Sequence, residues 1–487
     1  MSQKINLIML PKIKHEILIV LLFFAAVIFS FFLRIQDLNY NSAFGEEAVY
    51  VIVGKMGIFY RDWHTFNSFT WMGGLPYLYP VLSALAYENG GIYGSRLLNV
   101  FLSLLVLEEL YRFTLNINLF GRKKNIAAAL ISVFLVGFSP IAVFLNTLAT
   151  FDVLALLFFL LSINSLLIAH TYKGGKYYFV SSISLVLSVL TNYFLVLLLP
   201  FVLYLSLKVY KKLNTGEHKN LMKTYYYITV FSIIGAFIIF NLTFITTFAR
   251  TQIVDDMELA KKVLSFLWKN DSMIVVLIVL VMGFIYEFKK NQVLFFSFLL
   301  STFIIFVHVI LGNVSSLAKH LYIVEVFTLP CAAYLFVYIY SLNKPAFKVI
   351  SGIAITSIFI YYIFNYQYIL NHLRKEWLNT SDTNSYLTNM VKYDSRVLSE
   401  SGATTILSLF NIVDPTNVST FEWFNYSNLQ GSEAYAQAVA DGYFNLIELS
   451  GTYTSDPEIA MLVRQNMGSR YVPVYKKDSF EIYERTK

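Results

Sequence analysis

Long apolar runs separated by short polar stretches fill the chain up to Ile363, after which the pattern changes. Runs of spanning length lie at about Ile17 to Leu33, Ile92 to Phe113, Ile126 to Leu145, Val153 to Ala169, Tyr178 to Asn192 and Phe194 to Leu207. They continue at Tyr225 to Phe248, Met273 to Tyr286, Val293 to Leu311, Tyr322 to Tyr340 and Val349 to Ile363. A helix crosses a bilayer with roughly 20 apolar residues, so the pattern predicts an all-α polytopic membrane protein with about eleven transmembrane helices. The first run follows Lys12, Lys14 and His15 and lacks a small-x-small cleavage site, which reads as a retained anchor.

From Trp377 the periodicity becomes that of a small soluble domain. Tyr386 to Leu398 is helix-like and stopped by Gly402; Thr404 to Phe410, Asn445 to Leu449, Tyr471 to Tyr475 and Phe480 to Tyr483 are strand-like. Ser455-Asp456-Pro457-Glu458 is a helix start whose helix runs to Gly468. The expected organisation is therefore a transmembrane domain over residues 1–366, including a long first outer loop at 34–91, and an α/β domain over 367–487.

Composition agrees with the pattern. Of the 487 residues 57% are hydrophobic and only 14% charged, far from a soluble chain. The formal charge of +7 resides in short clusters between apolar runs: Arg122, Lys123 and Lys124; Lys173 and Lys176; Lys208, Lys211, Lys212, Lys219 and Lys223; Lys289 and Lys290; Lys344 and Lys348. Alternate loops carry them, so the charge orients the chain in a bilayer and does not mark a nucleic-acid surface. The N-terminus is then cytoplasmic, and the first loop, the segment Arg250 to Asp271 and the C-terminal domain are extracytoplasmic. One cysteine, Cys331, excludes a disulfide framework and a thiolate metal site. No Walker motif, dinucleotide fingerprint or zinc-ligand spacing is present.

The chemistry concentrates in the first loop. Glu46 and Glu47 follow Gly45 beside a bilayer, where carboxylates lose hydration, and they serve either as caps of a short interfacial helix or as a site for protons, cations or a polar substrate. Adjacent helical positions point about 100° apart, so one of the pair is expected to act and the other to support. The loop also holds Arg61, Trp63, His64, Trp71 and a Gly73-Gly74-Leu75-Pro76 break, with Arg61 and His64 as substrate-loop candidates. Asp152 opens a span, as a plain N-cap or as a second carboxylate. Arg96, the Lys319-His320 pair and Arg34 are cations at span ends, snorkelling or facing a phosphate. His308, in mid-span, reads as a packing residue, and Glu108, Glu109 and Arg112 as a local helix pairing. Asn-x-Ser/Thr triplets at Asn313, Asn379, Asn417 and Asn425 carry no assigned role.

The order Arg34, Gly45-Glu46-Glu47-Ala48-Val49-Tyr50, Leu75-Pro76-Tyr77-Leu78-Tyr79-Pro80, Tyr93-Gly94-Ser95-Arg96-Leu97-Leu98 and then Asp152 resembles the GT-C membrane glycosyltransferases. Within them it is most similar to the protein mannosyltransferase and aminoarabinose transferase group. The resemblance covers the membrane region and is strongest over roughly the first 200 residues. It implies a GT-C fold and transfer of a hexosyl or pentosyl group from a polyprenyl-phosphate carrier to a protein, lipid or glycan acceptor on the outer face of the plasma membrane.

It also implies roles. Glu46 takes the position of the family's catalytic aspartate and Glu47 that of its neighbour. The longer side chain reaches the same proton only if the backbone withdraws by about one methylene. Arg96, Lys319, His320 and Arg34 become the donor-phosphate set. Asp152 becomes a second carboxylate that orients the acceptor or the base, or helps hold a divalent cation. Where the family tends to have Lys, this chain has Asn192, so one phosphate contact is missing or replaced. A lipid-linked glycan flippase or other transporter is the alternative function. An oligosaccharyltransferase would carry Trp-Trp-Asp, whereas the tail has only Glu422-Trp423-Phe424.

Overall fold

The computed structural model describes residues 6–487 apart from 67, 69–70, 173–174, 214–215, 242–256, 285–290, 312–313, 315, 343, 376, 423, 452–455 and 487. Lys173, Lys289, Lys290, Asn313, Trp423 and the start of the expected outer segment at Arg250 lie outside the described residues. The chain divides into two compact units.

The first unit comprises Met1–Leu38, Phe69–Leu75 and Arg96–Lys375. Among the described residues, eight helices are long and apolar enough to cross a membrane, and two bent pairs and the shorter Gly175–Thr191 occupy the remaining expected positions. The chain is a multi-pass membrane protein. Helix Leu317–Ser341 is buried along most of its length and packs against Gln292–Leu311, Arg122–Phe138 and Pro345–Leu373. Helices Asp152–Tyr172 and Gly175–Thr191 pair through small polar residues. Ser181 Oγ donates to Ser162 O at 2.8 Å and Ser188 Oγ to Ala155 O at 2.8 Å, bonds that substitute for the hydrophobic drive missing between helices in lipid.

The chain bends by 62° between Arg122–Phe138 and Pro140–Thr147. Pro140 has no amide hydrogen and frees carbonyls of the preceding turn, which in hydrocarbon must be bonded internally. Arg34 Nη1 supplies a bond to Gly137 O at 2.9 Å. Ser139 caps the second helix, accepting from Ala142 N, and its hydroxyl donates to Glu325 Oε1.

The second unit comprises Asn39–Ser68, Pro76–Ser95 and Glu376–Lys487. Strand β1 (Val397–Ser399) pairs in parallel with β2 (Val418–Thr420) and β3 (Leu446–Ser450); β4 (Tyr471–Lys477) and β5 (Phe480–Arg485) form an antiparallel hairpin, and β5 pairs antiparallel with β3, so the five-stranded sheet has the order β2-β1-β3-β5-β4. Helix Gly45–Phe59 belongs here. Its Ala48, Val51, Ile52 and Met56 join Leu387, Val397, Leu409 and Ile482 in one apolar core. The partition therefore differs from a cut at residue 366 with the whole first loop on the membrane side. Helix Pro345–Leu373 runs through that point, and two pieces of the loop bury their apolar residues with the tail.

Three local expectations change. Thr404 to Phe410 forms helix Ala403–Leu409, because Gly402 (φ 54°) turns the chain and Ile406, Leu409 and Phe410 then share a buried helical face. The helix expected over Tyr386 to Leu398 is Ser381–Met390 and is followed by β1, since the Ser395 hydroxyl caps Lys392 N at 2.8 Å and closes a turn between them. Helix Gly45–Phe59 was expected to lie one-sided at the interface, yet ten of its fifteen residues are buried.

Leu387→Ala is expected to cost about 2–5 kcal/mol and to raise amide exchange in helix Gly45–Phe59 as well as in the tail; unchanged exchange in the loop helix would contradict a shared core. Salt bridges from Lys476 and Arg464 hold the Glu481 carboxyl at about 2, below its ordinary 4.5. Its stabilisation is thus complete above pH 4.5 and lost as pH falls through about 2, and Glu481→Gln should flatten that acid limb of the unfolding curve.

Candidate functional site

The two glutamates separate by geometry. Glu47, fully buried, turns back so that its Oε2 accepts from Phe44 N at 2.8 Å, bonding an amide at the helix entry. Glu46, one position earlier on the same turn, is half-buried and points to a different side. Of the pair, Glu47 is the one bonded to the helix entry. The entry is also fixed by ring contacts: Phe44 and Tyr40 pack edge-on against Trp377, whose Nε1 donates to Ser42 O at 3.1 Å.

The chain leaving this helix is tightly built. Trp63 packs where any side chain at Gly57 would lie, 2.2 Å from its ring, and meets Tyr77 at 4.8 Å. Asp62 Oδ1 accepts from the His64 and Thr65 amides at 2.8 and 2.9 Å; the Thr65 hydroxyl, then these amides, hold its carboxyl below the usual range. Arg61 and His64 are exposed. Arg61 has φ 55°, and the turn it makes is its evident structural contribution.

In the first unit, Asp152 opens its helix half-buried, and its Oδ1 accepts from Asn192 Nδ2 at 3.0 Å. Asn192 Oδ1 in turn caps Phe194 N at 3.0 Å. The Gly73-Gly74 break explains itself against this turn. Leu75 N donates to Leu190 O at 2.8 Å and Tyr193 N to Gly73 O at 2.7 Å, so the backbones run together. A Cβ on Gly74 would sit 2.0 Å from Thr191 O, an approach open only to glycine. The residue expected to replace a family lysine is thus the orienting partner of Asp152.

The four candidate cations fare differently. Arg96 is 1% exposed, which removes snorkelling as its role, and its Nη1 donates to Leu38 O at 2.7 Å. Lys319 is half-buried at the start of helix Leu317–Ser341. His320 is buried; its Nδ1 meets His308 Nε2 at 2.6 Å and its ring stacks on Phe194. Arg34 is fully buried, and Nη1 donates to Ser30 O at 3.0 Å, to the Ser30 hydroxyl and to Gly137 O. His320 is thus tied to His308, and Arg34 to the helix bend. Arg112 pairs with Glu108 and Glu109 as expected.

Sequence reasoning passed over two buried charges. Lys55 is 2% exposed, bridges Glu88 at 2.7 Å and lies 4.5 Å over the Phe410 ring. Glu325, also buried, joins Ser139 at the bend. A charge within an apolar run was the available signal for both. Among the described residues no group of three or more His, Cys, Asp or Glu could hold a metal ion, and Asp152 Oδ1 is engaged by the Asn192 amide.

No family model and no curated protein matches this chain. Solved structures do. It is similar to ArnT from Cupriavidus metallidurans bound to undecaprenyl phosphate, with a TM-score of 0.58 at 11% identity over 95% of this chain and 97% of that one. It is also similar to the oligosaccharyltransferase AglB from Archaeoglobus fulgidus, in complex with an inhibitory peptide and a dolichol-phosphate, with a TM-score of 0.52 at 12% identity over 89% and 69% of the two chains. The protein has the GT-C fold. In a GT-C fold reached at such low identity, residue roles rest on chemistry and not on alignment.

Gly74→Ala is expected to displace the Leu75 and Tyr193 backbone bonds and to lower the thermal midpoint in lipid nanodiscs by several degrees, more than Gly45→Ala, whose Cβ meets nothing within 4 Å. Equal effects of the two would remove the close-approach argument.

Proposed function

We propose that this protein is a glycosyltransferase that moves a sugar from a polyprenyl-phosphate carrier to an acceptor hydroxyl on the outer face of the plasma membrane. The observation that carries the reading is the GT-C likeness over nearly the whole chain, of which the ArnT structure contains undecaprenyl phosphate. The N-terminus is assigned to the cytoplasm and the C-terminal α/β region to the outer side, following the loop charges.

The reaction is a direct displacement with inversion. The acceptor oxygen bonds to the anomeric carbon, the bond from that carbon to the phosphate oxygen breaks, and the acceptor proton passes to Glu46. The phosphate leaves on its lipid carrying the released electron pair. Positive charge develops on the sugar and negative charge on the phosphate, which calls for a carboxylate and cations in those roles. Glu46 is assigned the proton because Glu47 is committed to the helix entry. Asp152, held by Asn192, is assigned orientation of the acceptor. Arg96 and Lys319 are assigned the departing phosphate, Arg96 as a planar fork and Lys319 as a point charge.

Transfer of label from polyprenyl-phosphate sugars by protein in lipid tests the reading. Glu46→Gln is expected to lower turnover by about 10²–10⁴-fold with folding intact, whereas Glu47→Gln should act mainly on stability. Full activity of Glu46→Gln would remove the base assignment. Movement of intact lipid-linked sugar between leaflets, with no release from the carrier, would establish the transporter instead.

A further inference from the structure

Helix Ser381–Met390 lines a cleft along one side. Its buried side is set by Leu387, which enters the apolar core of the second unit. Beside it, Ser381, Asn384, Ser385, Thr388 and Asn389 follow helical spacing; Asn384 is buried, Thr388 half-buried, and Ser381, Ser385 and Asn389 are exposed. All five are polar and uncharged, and all five line one cleft of about 410 Å³. That volume falls within the roughly 300–1,000 Å³ of small-molecule sites.

The opposing wall is of matching chemistry. Thr404 and Ser408 add hydroxyls, and Tyr87, Ile92 and Leu407 add apolar surface. No Lys, Arg, His, Asp or Glu lines the cleft. A phosphate, a charged peptide or a cation would forgo any ionic partner there, at the cost of its own hydration. A saccharide ring presents the complementary surface, with equatorial hydroxyls that both donate and accept and C–H faces that pack on aromatic and aliphatic side chains. The wall is also held in place before any ligand arrives. Asn384 Nδ2 donates to Thr380 Oγ1 at 3.0 Å, its Oδ1 accepts from Thr405 Oγ1 at 3.1 Å, and Thr388 Oγ1 donates to Asn384 O at 2.8 Å. Rigid polar positions lower the ordering cost of binding.

We infer that this cleft binds an uncharged oligosaccharide. Resting on the glycosyltransferase reading, the inference names the acceptor class as a neutral glycan. The cleft recognises sugar units away from the reacting hydroxyl, so the acceptor is selected by its glycan and not by peptide sequence.

The full-length protein in nanodiscs, tested against a panel of neutral tri- to hexasaccharides built from glucose, mannose, galactose or N-acetylglucosamine, decides the matter. Saturation-transfer NMR should detect at least one binder. Ser385→Leu, which places an isobutyl group in the cleft, is expected to weaken it by tenfold or more. Ser385→Ala, which adds no bulk, should weaken it about two- to tenfold, the range of one net hydrogen bond, with an unchanged thermal midpoint. Glu46→Gln should bind as wild type, so failure of transfer and failure of saccharide binding are separate results. Absence of binding by any neutral saccharide, or binding that Ser385→Leu leaves intact, would overturn the inference even if transfer is observed. Binding sensitive to Ser385→Leu with no transfer from any carrier would uphold the cleft and sink the enzymatic reading.

Discussion

Burial of helix Gly45–Phe59 in the core of the second unit is the constraint on which the placement of the candidate chemistry depends. A fifteen-residue helix has little stability alone, and its apolar positions gain theirs from Leu387, Val397, Leu409 and Ile482. The entry is then pinned twice, by Glu47 on Phe44 N and by the Trp377 indole on Ser42 O. Glu46 inherits a fixed position from these contacts. The role proposed for Glu46 calls for a backbone that does not drift, and core packing provides one.

The membrane unit meets a different demand. Within hydrocarbon each backbone group freed by a bend must find a partner in the protein. The break at Ser139-Pro140 draws in Arg34 and Glu325 from two other helices. At the Asn192 turn, one amide side chain serves Asp152 and Phe194 at once while Gly73 and Leu75 bond the neighbouring backbone. Polar residues cluster where the helices are interrupted, so those interruptions read as built features.

Much of this was legible in the sequence. Apolar runs of bilayer length mark their helices directly, because the bilayer fixes the length. Tyr471 to Tyr475 and Phe480 to Tyr483 were legible as strands too, though not their antiparallel pairing. The first loop was visible as chemistry but not as packing: nothing local tells that Val51 and Ile52 face residues of the tail. Thr404 to Phe410 misled because β-branched residues favour strands, whereas Gly402 and the buried face of Ile406 and Leu409 decide for helix. Arg34 and His320 carried charge-bearing side chains at span ends, and nothing local in the sequence tells that their partners include Gly137 O and His308.

The distance along the chain within the second unit has a consequence for biosynthesis. Asn41 Nδ2 bonds Trp377 O across 336 residues. The loop helix is made early, and every transmembrane helix after the first must be synthesised before its core partners exist. Until then its apolar residues have no folded surface to bury against, and the nascent protein carries an amphipathic segment waiting beside the membrane. A chain cut short anywhere in the tail would retain its spans and its carboxylates but not the packing that sets them. Completion of the last strand, far from Glu46 in sequence, is therefore part of assembling it.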